Sequence, residues 1–155
     1  MTALEIRPLV PGAETERADS ALPLHRLEQP GSEYLVAWEG ERAVGHACVE
    51  WSETPELQDV WVLPARRSQG IGSALVAAAE ARTAARGSRL LALTVGVDNH
   101  GAIRLYERLG YRRTAAAPRR VRGTIVLRGR PLEVDDTLLA FEKPLDSGDG
   151  RSSSS

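Results

Sequence analysis

The sequence predicts an α/β fold with mixed strand directions, and three observations carry that prediction. Two strand-like runs flank Glu39–Gly40–Glu41, a hairpin signal that imposes an antiparallel pair. Further on, two strand-like runs are each followed by a stretch of helical spacing, the order that permits parallel neighbours. The last third returns to strand and turn signals.

Each element follows in order. Leu4–Leu9 reads as a strand closed by Pro11 and Gly12. Thr15–Gln29 holds helix-compatible residues interrupted by Pro23, so it predicts short helical pieces, with a turn at Pro30–Gly31. In the hairpin, Tyr34, Val36 and Trp38 alternate on one arm, and Val44, His46 and Cys48 on the other. Glu56–Leu63 is enriched in β-branched and aromatic residues, and Pro64 ends it. Gly72–Arg86 predicts a helix: Ile71, Leu75, Ala78 and Ala79 share a face and Gly87 is the stop. Arg89–Val97 is a buried-type strand with Leu91, Leu93, Val95 and Val97 in phase. Asp98 or Asn99 can cap a helix over His100–Leu109, in which Ala102, Leu105, Tyr106 and Leu109 share a face. Tyr111–Leu145 predicts two strands with turns at Gly123 and Gly129–Pro131. Residues 1–145 read as one domain, and Asp146–Ser155 as a disordered tail by composition.

Composition sets bounds on function. At 155 residues, 42% hydrophobic and 26% charged, the chain matches an ordinary soluble globular domain. A net charge of −1 gives no overall field toward nucleic acid or a membrane. No apolar run approaches the roughly 18 residues that span a bilayer, and the N-terminus lacks a leader's apolar segment. Cys48 is the single cysteine, so no internal disulfide forms. A cytoplasmic protein is the expectation. His25, His46 and His100 have no metal-ligand spacing, so no metal is expected.

Chemistry concentrates in "ARRSQGIGSAL", Ala65–Leu75, between a strand and a helix. The first N–H groups of a helix lack intrahelical partners and, with the dipole, favour an anion. Gly70 and Gly72 let a phosphate approach the backbone, while Arg66 and Arg67 add charge. A Walker A loop is excluded because no lysine is present, and a dinucleotide fingerprint because Leu75 stands where a third small residue belongs. From the turn alone, a plain surface corner stays open.

A second stretch narrows the choice. Arg67-Ser68-Gln69-Gly70-Ile71-Gly72 resembles the pyrophosphate loop [QR]-x-x-G-x-[GA] of the GNAT superfamily of N-acetyltransferases. "VDNHGAIRLYERLGYRR" is similar to that family's second pattern, with Asn99, Ala102, Leu105, Tyr106, Gly110 and Tyr111 in register. The resemblance runs over roughly Leu4–Leu145, nearly the whole chain. It implies a mostly antiparallel sheet with one splayed parallel strand pair and flanking helices. It implies acetyl-CoA as co-substrate, its pyrophosphate on the N–H groups of Gln69, Gly70, Ile71, Gly72 and Ser73, with Arg67 and Ser68 beside it. It further implies a main-chain N–H around Trp61, Val62 and Leu63 for the thioester carbonyl, and Asn99 and Ala102 near the pantetheine arm. Tyr106 would protonate the departing thiolate. Many relatives carry a glutamate on the fourth strand where this chain has Gln58; Glu56, two residues away on the same strand face, is then the candidate base. Glu50, Glu53 and Asp59 are the alternatives, Asp59 on the opposite face unless a bulge turns it.

Two charge patterns bear on the partner. Glu50, Glu53, Glu56 and Asp59 form an acidic run that would attract a protonated amine. Arg112, Arg113, Arg119, Arg120, Arg122, Arg128 and Arg130 form a basic one, facing cofactor phosphate, an acidic substrate group or solvent. It lacks the interleaved aromatics of a base-stacking surface, which disfavours nucleic acid. The leading expectation is acetyl transfer to a small-molecule primary amine, without membrane partners. A protein N-terminus as acceptor, a non-catalytic acyl-CoA-binding module and a homodimer stay open.

Overall fold

The computed structural model describes residues 3–145, and the expected tail at 146–155 lies outside them. Among these residues the chain runs β1 (Leu4–Pro8), α1 (Ala13–Ala21), β2 (Ser32–Glu39), β3 (Arg42–Glu50), β4 (Glu56–Val62), a 3-10 turn at Pro64–Arg66, and α2 (Ile71–Ala85). Then come β5 (Leu90–Gly96), α3 (His100–Arg108), β6 (Arg112–Arg113), β7 (Arg119–Leu127) and β8 (Arg130–Pro144). The strands form one sheet in the order β1-β2-β3-β4-β5-β8-β6, with β7 on β8. No helix among them is long and apolar enough to cross a membrane.

The hairpin arms pair antiparallel, as do β3 and β4. β4 and β5 are parallel and touch at a single register, Glu56 with Ala92, so they splay from there. β5 then pairs antiparallel with β8 from Leu90–Pro144 to Gly96–Leu138. The mixed, mostly antiparallel sheet with one splayed pair is therefore present.

Two cores cover the two faces. On one, Leu75, Val76 and Ala79 of α2 pack on Val44, Val49, Leu57, Leu91, Leu93 and Phe141. Gly45 makes this close approach: a Cβ there would sit 3.0 Å from the Trp61 carbonyl and 3.1 Å from Leu75. On the other face, Ala18, Leu22 and Leu24 cover Tyr34, Val36, Trp38 and Cys48. Cys48 is a buried core residue, and its thiol is pushed up to about 11 by burial.

The C-terminal region departs from expectation. It holds three strands, because two residues of β6 join the β8 edge after α3. β8 starts at Arg130, inside the expected Gly129–Pro131 turn, and spans 15 residues. Gly123 lies within β7, at φ 129°, and the turn is at Arg128–Gly129. Cross-strand pairing of β7 with β8 extends the strand past the point where β5 ends. The N-terminal region holds one helix of 9 residues beginning at Ala13, two residues before the expected start.

Candidate active site

A cleft of about 260 Å³ opens where β4 and β5 part, lined by Val60, Trp61, Val62, Arg67, Ile71 and Leu105 among others. Three elements build it. β4 supplies one wall, the start of α2 a second and α3 the third.

The α2 end is shaped by its glycine. Gly70 is the N-cap with a left-handed backbone, φ 84°, which a side chain would strain. No side chain caps this end, and the first intrahelical bond runs from Ala74 N–H to the Gly70 carbonyl. The N–H groups of Ile71, Gly72 and Ser73 are therefore left over. Gly72 has ordinary helical backbone, with Val62 Cγ2 at 3.9 Å from where a Cβ would stand. Ser68, at φ 63°, is also left-handed. Gln69 accepts from Arg66 Nε at 3.0 Å, and Arg66 also pairs with Glu39. Arg67 folds back: Nε donates to the Val62 carbonyl at 2.8 Å, and the guanidinium lies 5.3 Å from the Trp61 ring centroid. Arg66 and Arg67 thus rim a helix end that favours negative charge.

On β4, the Leu63 N–H donates to the Val44 carbonyl at 2.9 Å. Strand alternation turns the Val62 N–H the other way, into the gap that β5 has left. Upstream, His46 pairs with Trp61 but Cys48 pairs with Gln58, so Asp59 and Val60 oppose the single residue Ala47. This is a β-bulge, with Asp59 at φ 51°. It puts the Asp59 side chain on the face of Gln58, where Arg26 Nε donates to it at 2.8 Å.

That face carries a polar network. Gln58 Nε2 donates to Glu56 Oε1 at 2.8 Å, and Gln29 Nε2 donates to Glu50 Oε2 at 3.0 Å and Ser32 Oγ at 2.6 Å. The acidic run thus divides. Glu50, Glu56 and Asp59 share the network, while Glu53 lies apart beside Trp51 and Arg86. Beneath them Tyr34, His46 and Trp61 form an aromatic ridge, with His46 edge-on to Tyr34 at 5.2 Å and stacked on Trp61 at 6.2 Å. His46 is 1% exposed with neither ring nitrogen hydrogen-bonded among the described residues, and burial brings its pKa down to about 4.

On α3, Asn99 is the N-cap, its Oδ1 accepting from the Ala102 N–H at 3.2 Å. Tyr106 is half-buried, edge-on to Tyr111 at 5.7 Å, and burial pushes its hydroxyl up to about 12. That hydroxyl makes no hydrogen bond among the described residues, whereas Tyr111 donates to Glu80 at 2.9 Å. Lys143 reaches the same Glu80 at 3.0 Å, so one carboxylate ties α2 to β8 and to the end of α3. Arg26 and Gln29 were not singled out by the sequence: they sit in an irregular connection, and nothing local marks them as facing β4.

The pattern of acetyltransferase (GNAT) family members matches residues 3–111. An uncharacterized N-acetyltransferase of Methanocaldococcus jannaschii is 43% identical over 63 residues, 41% of this chain and 28% of that protein. Mycothiol acetyltransferase of Corynebacterium glutamicum is 36% identical over 97 residues, 56% of this chain and 33% of that one. The chain spans a third or less of each of these curated relatives. A crystal structure of a GNAT family acetyltransferase from Elizabethkingia anophelis, with acetyl-CoA bound, matches at TM-score 0.70 and 21% identity, covering 92% of this chain and 98% of that chain. One family pattern accounts for residues 3–111 of 155 and the same family's strands and helices recur in the fold, so the chain belongs to the acetyltransferase (GNAT) family.

Proposed function

We propose that the chain transfers an acetyl group from acetyl-CoA to a primary amine of a small molecule, by direct attack within a single domain. One observation carries this reading: the uncapped, glycine-led start of α2 opens onto the same cleft as the Val62 edge of β4 and Leu105 of α3. An anion at the helix end and a thioester carbonyl at β4 would then lie along one path.

In this reading the diphosphate rests on N–H groups from Gln69 to Ser73, with Arg67 and Ser68 alongside, and the pantetheine arm passes Asn99 and Ala102. Among Trp61, Val62 and Leu63, the Val62 N–H is the donor for the carbonyl oxygen as negative charge develops there. The amine nitrogen attacks the carbonyl carbon and the C–S bond breaks. The Tyr106 hydroxyl proton goes to the leaving sulfur, and the ammonium proton of the new bond leaves through water to Glu56. Proximity supplies much of the rate. The Gln58 amide donates to Glu56 Oε1 at 2.8 Å, which aims that carboxylate.

Gln58 in place of a carboxylate also favours a second reading, acyl-CoA binding without transfer. One experiment decides between them: heat protection by acetyl-CoA, measured beside free-thiol release with a panel of primary amines. Transfer predicts both signals. Protection without release selects the binding module, and neither signal overturns the cofactor site.

A further inference from the structure

A second space lies between the end of α1 and the β7–β8 hairpin, on the face opposite α2. β1 ends beside Leu35, near the start of β2, and α1 runs back from there, so its C-terminal end returns toward the level of Gly45 and Val62. From the other side, β8 reaches beyond β5, with β7 beside Arg130–Asp135. The two meet. Arg128, at the turn of that hairpin, donates Nη1 and Nη2 to the Asp19 carboxylate at 2.6 and 2.9 Å. The resulting cavity of about 520 Å³ includes Asp19, Leu22, Leu24, His25, Arg128 and Arg130 in its lining. That volume suits a small molecule, for which pockets run about 300–1,000 Å³.

One hydrophobic cluster links this cavity to the cofactor cleft. Leu22 and Leu24 belong to the cluster against which Trp61 packs, and Trp61 also lines the cleft. Its charges are unevenly answered. Asp19 is matched by Arg128, whereas Arg130 makes no side-chain hydrogen bond or ion pair among the described residues. On β4, the other end of the same face presents Glu56 and Asp59. Asp59 is answered by Arg26, so the face holds Glu56 without an ion-pair partner at the strand and an unanswered guanidinium at the hairpin, among the described residues.

We propose that this cavity takes the acceptor and that Arg130 binds a carboxylate on it, so the acceptor is a small molecule with an amine at one end and a carboxylate at the other. This rests on the acetyl-transfer reading and narrows its acceptor. The planar guanidinium fork matches a carboxylate in two bonds and stays charged at any physiological pH. The ammonium end would then point to the acids of β4, where it must lose its proton before attack.

The test uses the full chain saturated with acetyl-CoA. Free-thiol release is followed with each of the common α-amino acids beside its carboxamide, which keeps the amine and removes the charge. At least one acid should exceed its amide in kcat/KM by roughly 10- to 100-fold, what a hydrogen bond to a charged group is worth. R130A should bring that ratio close to unity, and R130K should restore part of it. R120A, on the same hairpin but paired with Asp135, should keep the ratio. Arg130 is exposed at the first residue of β8, so these variants should melt with the parent. Acids and amides used equally, a ratio untouched by R130A, or no acid turned over while acetyl-CoA still protects against heat would each overturn the proposal. Loss of that heat protection in the parent would instead overturn the cofactor reading beneath it.

Discussion

The two sides of β4 are built from different materials. Toward α2, what faces the cleft is main chain: the leftover N–H groups of Ile71, Gly72 and Ser73 and the Val62 N–H turned into the splay. Toward α1, it is side chains: Glu56, Gln58 and Asp59, tied to Arg26 and Gln29 above an aromatic ridge. A main-chain site constrains backbone angles and clearance, so few substitutions are tolerated within it. A side-chain site can be rewritten one residue at a time. On this view the cofactor half is fixed and the acceptor half is the variable one. The expected outcomes below separate the halves.

The largest effect belongs to the main-chain side. Gly72→Asp has room for its Cβ, and a carboxylate in the first turn favours the helix, so the variant should melt no lower than the parent. Against a bound diphosphate the same charge costs several kcal/mol, so acetyl-CoA affinity by calorimetry should fall about a thousandfold. A folded variant with parental affinity would remove α2 as the phosphate site. Next is Tyr106→Phe, which deletes one hydroxyl and nothing else. Removing a general acid lowers kcat roughly a hundredfold, while acetyl-CoA should still protect against heat. The hydroxyl sits at about 12, so it stays protonated through any practical assay, and the pH profile of kcat should show no alkaline limb from it. Unchanged turnover in the variant would strip Tyr106 of the role.

On the side-chain half, His46 sets a pH signature. Its folded pKa of about 4 lies below the ordinary value near 6.5. Between those limits the unfolded chain binds a proton that the folded chain refuses, so stability rises with pH across the window. Stability is complete above about pH 6.5 and falls by about 2 kcal/mol on going to pH 5. Glu14, Glu39 and Asp19, held below their ordinary values by Arg7, Arg66 and Arg128, lose their contributions only at lower pH. Denaturant melts at pH 6.5 and 5 should therefore show this slope in the parent and not in His46→Phe. Parallel losses in both would mean the imidazole is protonated in the fold.

How much of this was legible follows the same division. The role expected of Tyr106 came from the resemblance alone, whereas Gly70 and Asn99 sit where expected because a helix end needing a left-handed cap and a helix needing a side-chain cap leave marks at fixed spacing. The strand and helix bounds from β4 to α3 came within a residue or two for that reason. The α1 side was less readable. Asp59 shares a face with Gln58 only because of one inserted residue, and alternation without it assigns the opposite face. Arg26 reaches Asp59, Gln29 reaches Glu50 and Arg128 reaches Asp19 over sequence separations of 21 to 109 residues, and no local pattern encodes such contacts. The early start of β8 was missed because Gly129–Pro131 reads as a turn throughout, when Arg130 and Pro131 already belong to the second arm of the hairpin.

The smallest expected effect tests the bulge that separates the halves. Asp59 is a non-glycine residue at φ 51°, held by an ion pair with Arg26 whose partners are 29% and 27% exposed. Asparagine tolerates the left-handed region and can still accept from Arg26, so Asp59→Asn loses only the charge. A part-exposed pair of this kind contributes about 0.2–1 kcal/mol, and the variant should melt within that of the parent and keep acetyl-CoA binding. Valine at the same place meets backbone strain of about 1–3 kcal/mol. The strand can relieve it by losing the bulge, but a one-residue slip would exchange the faces of Trp61 and Val62. The Val62 N–H would then turn back toward β3 and out of the gap. Asp59→Val should therefore lower both stability and acetyl-CoA binding where Asp59→Asn lowers neither by much. Equal behaviour of the two would mean that the ion pair, and not the left-handed backbone, holds the cofactor side and the acceptor side in register.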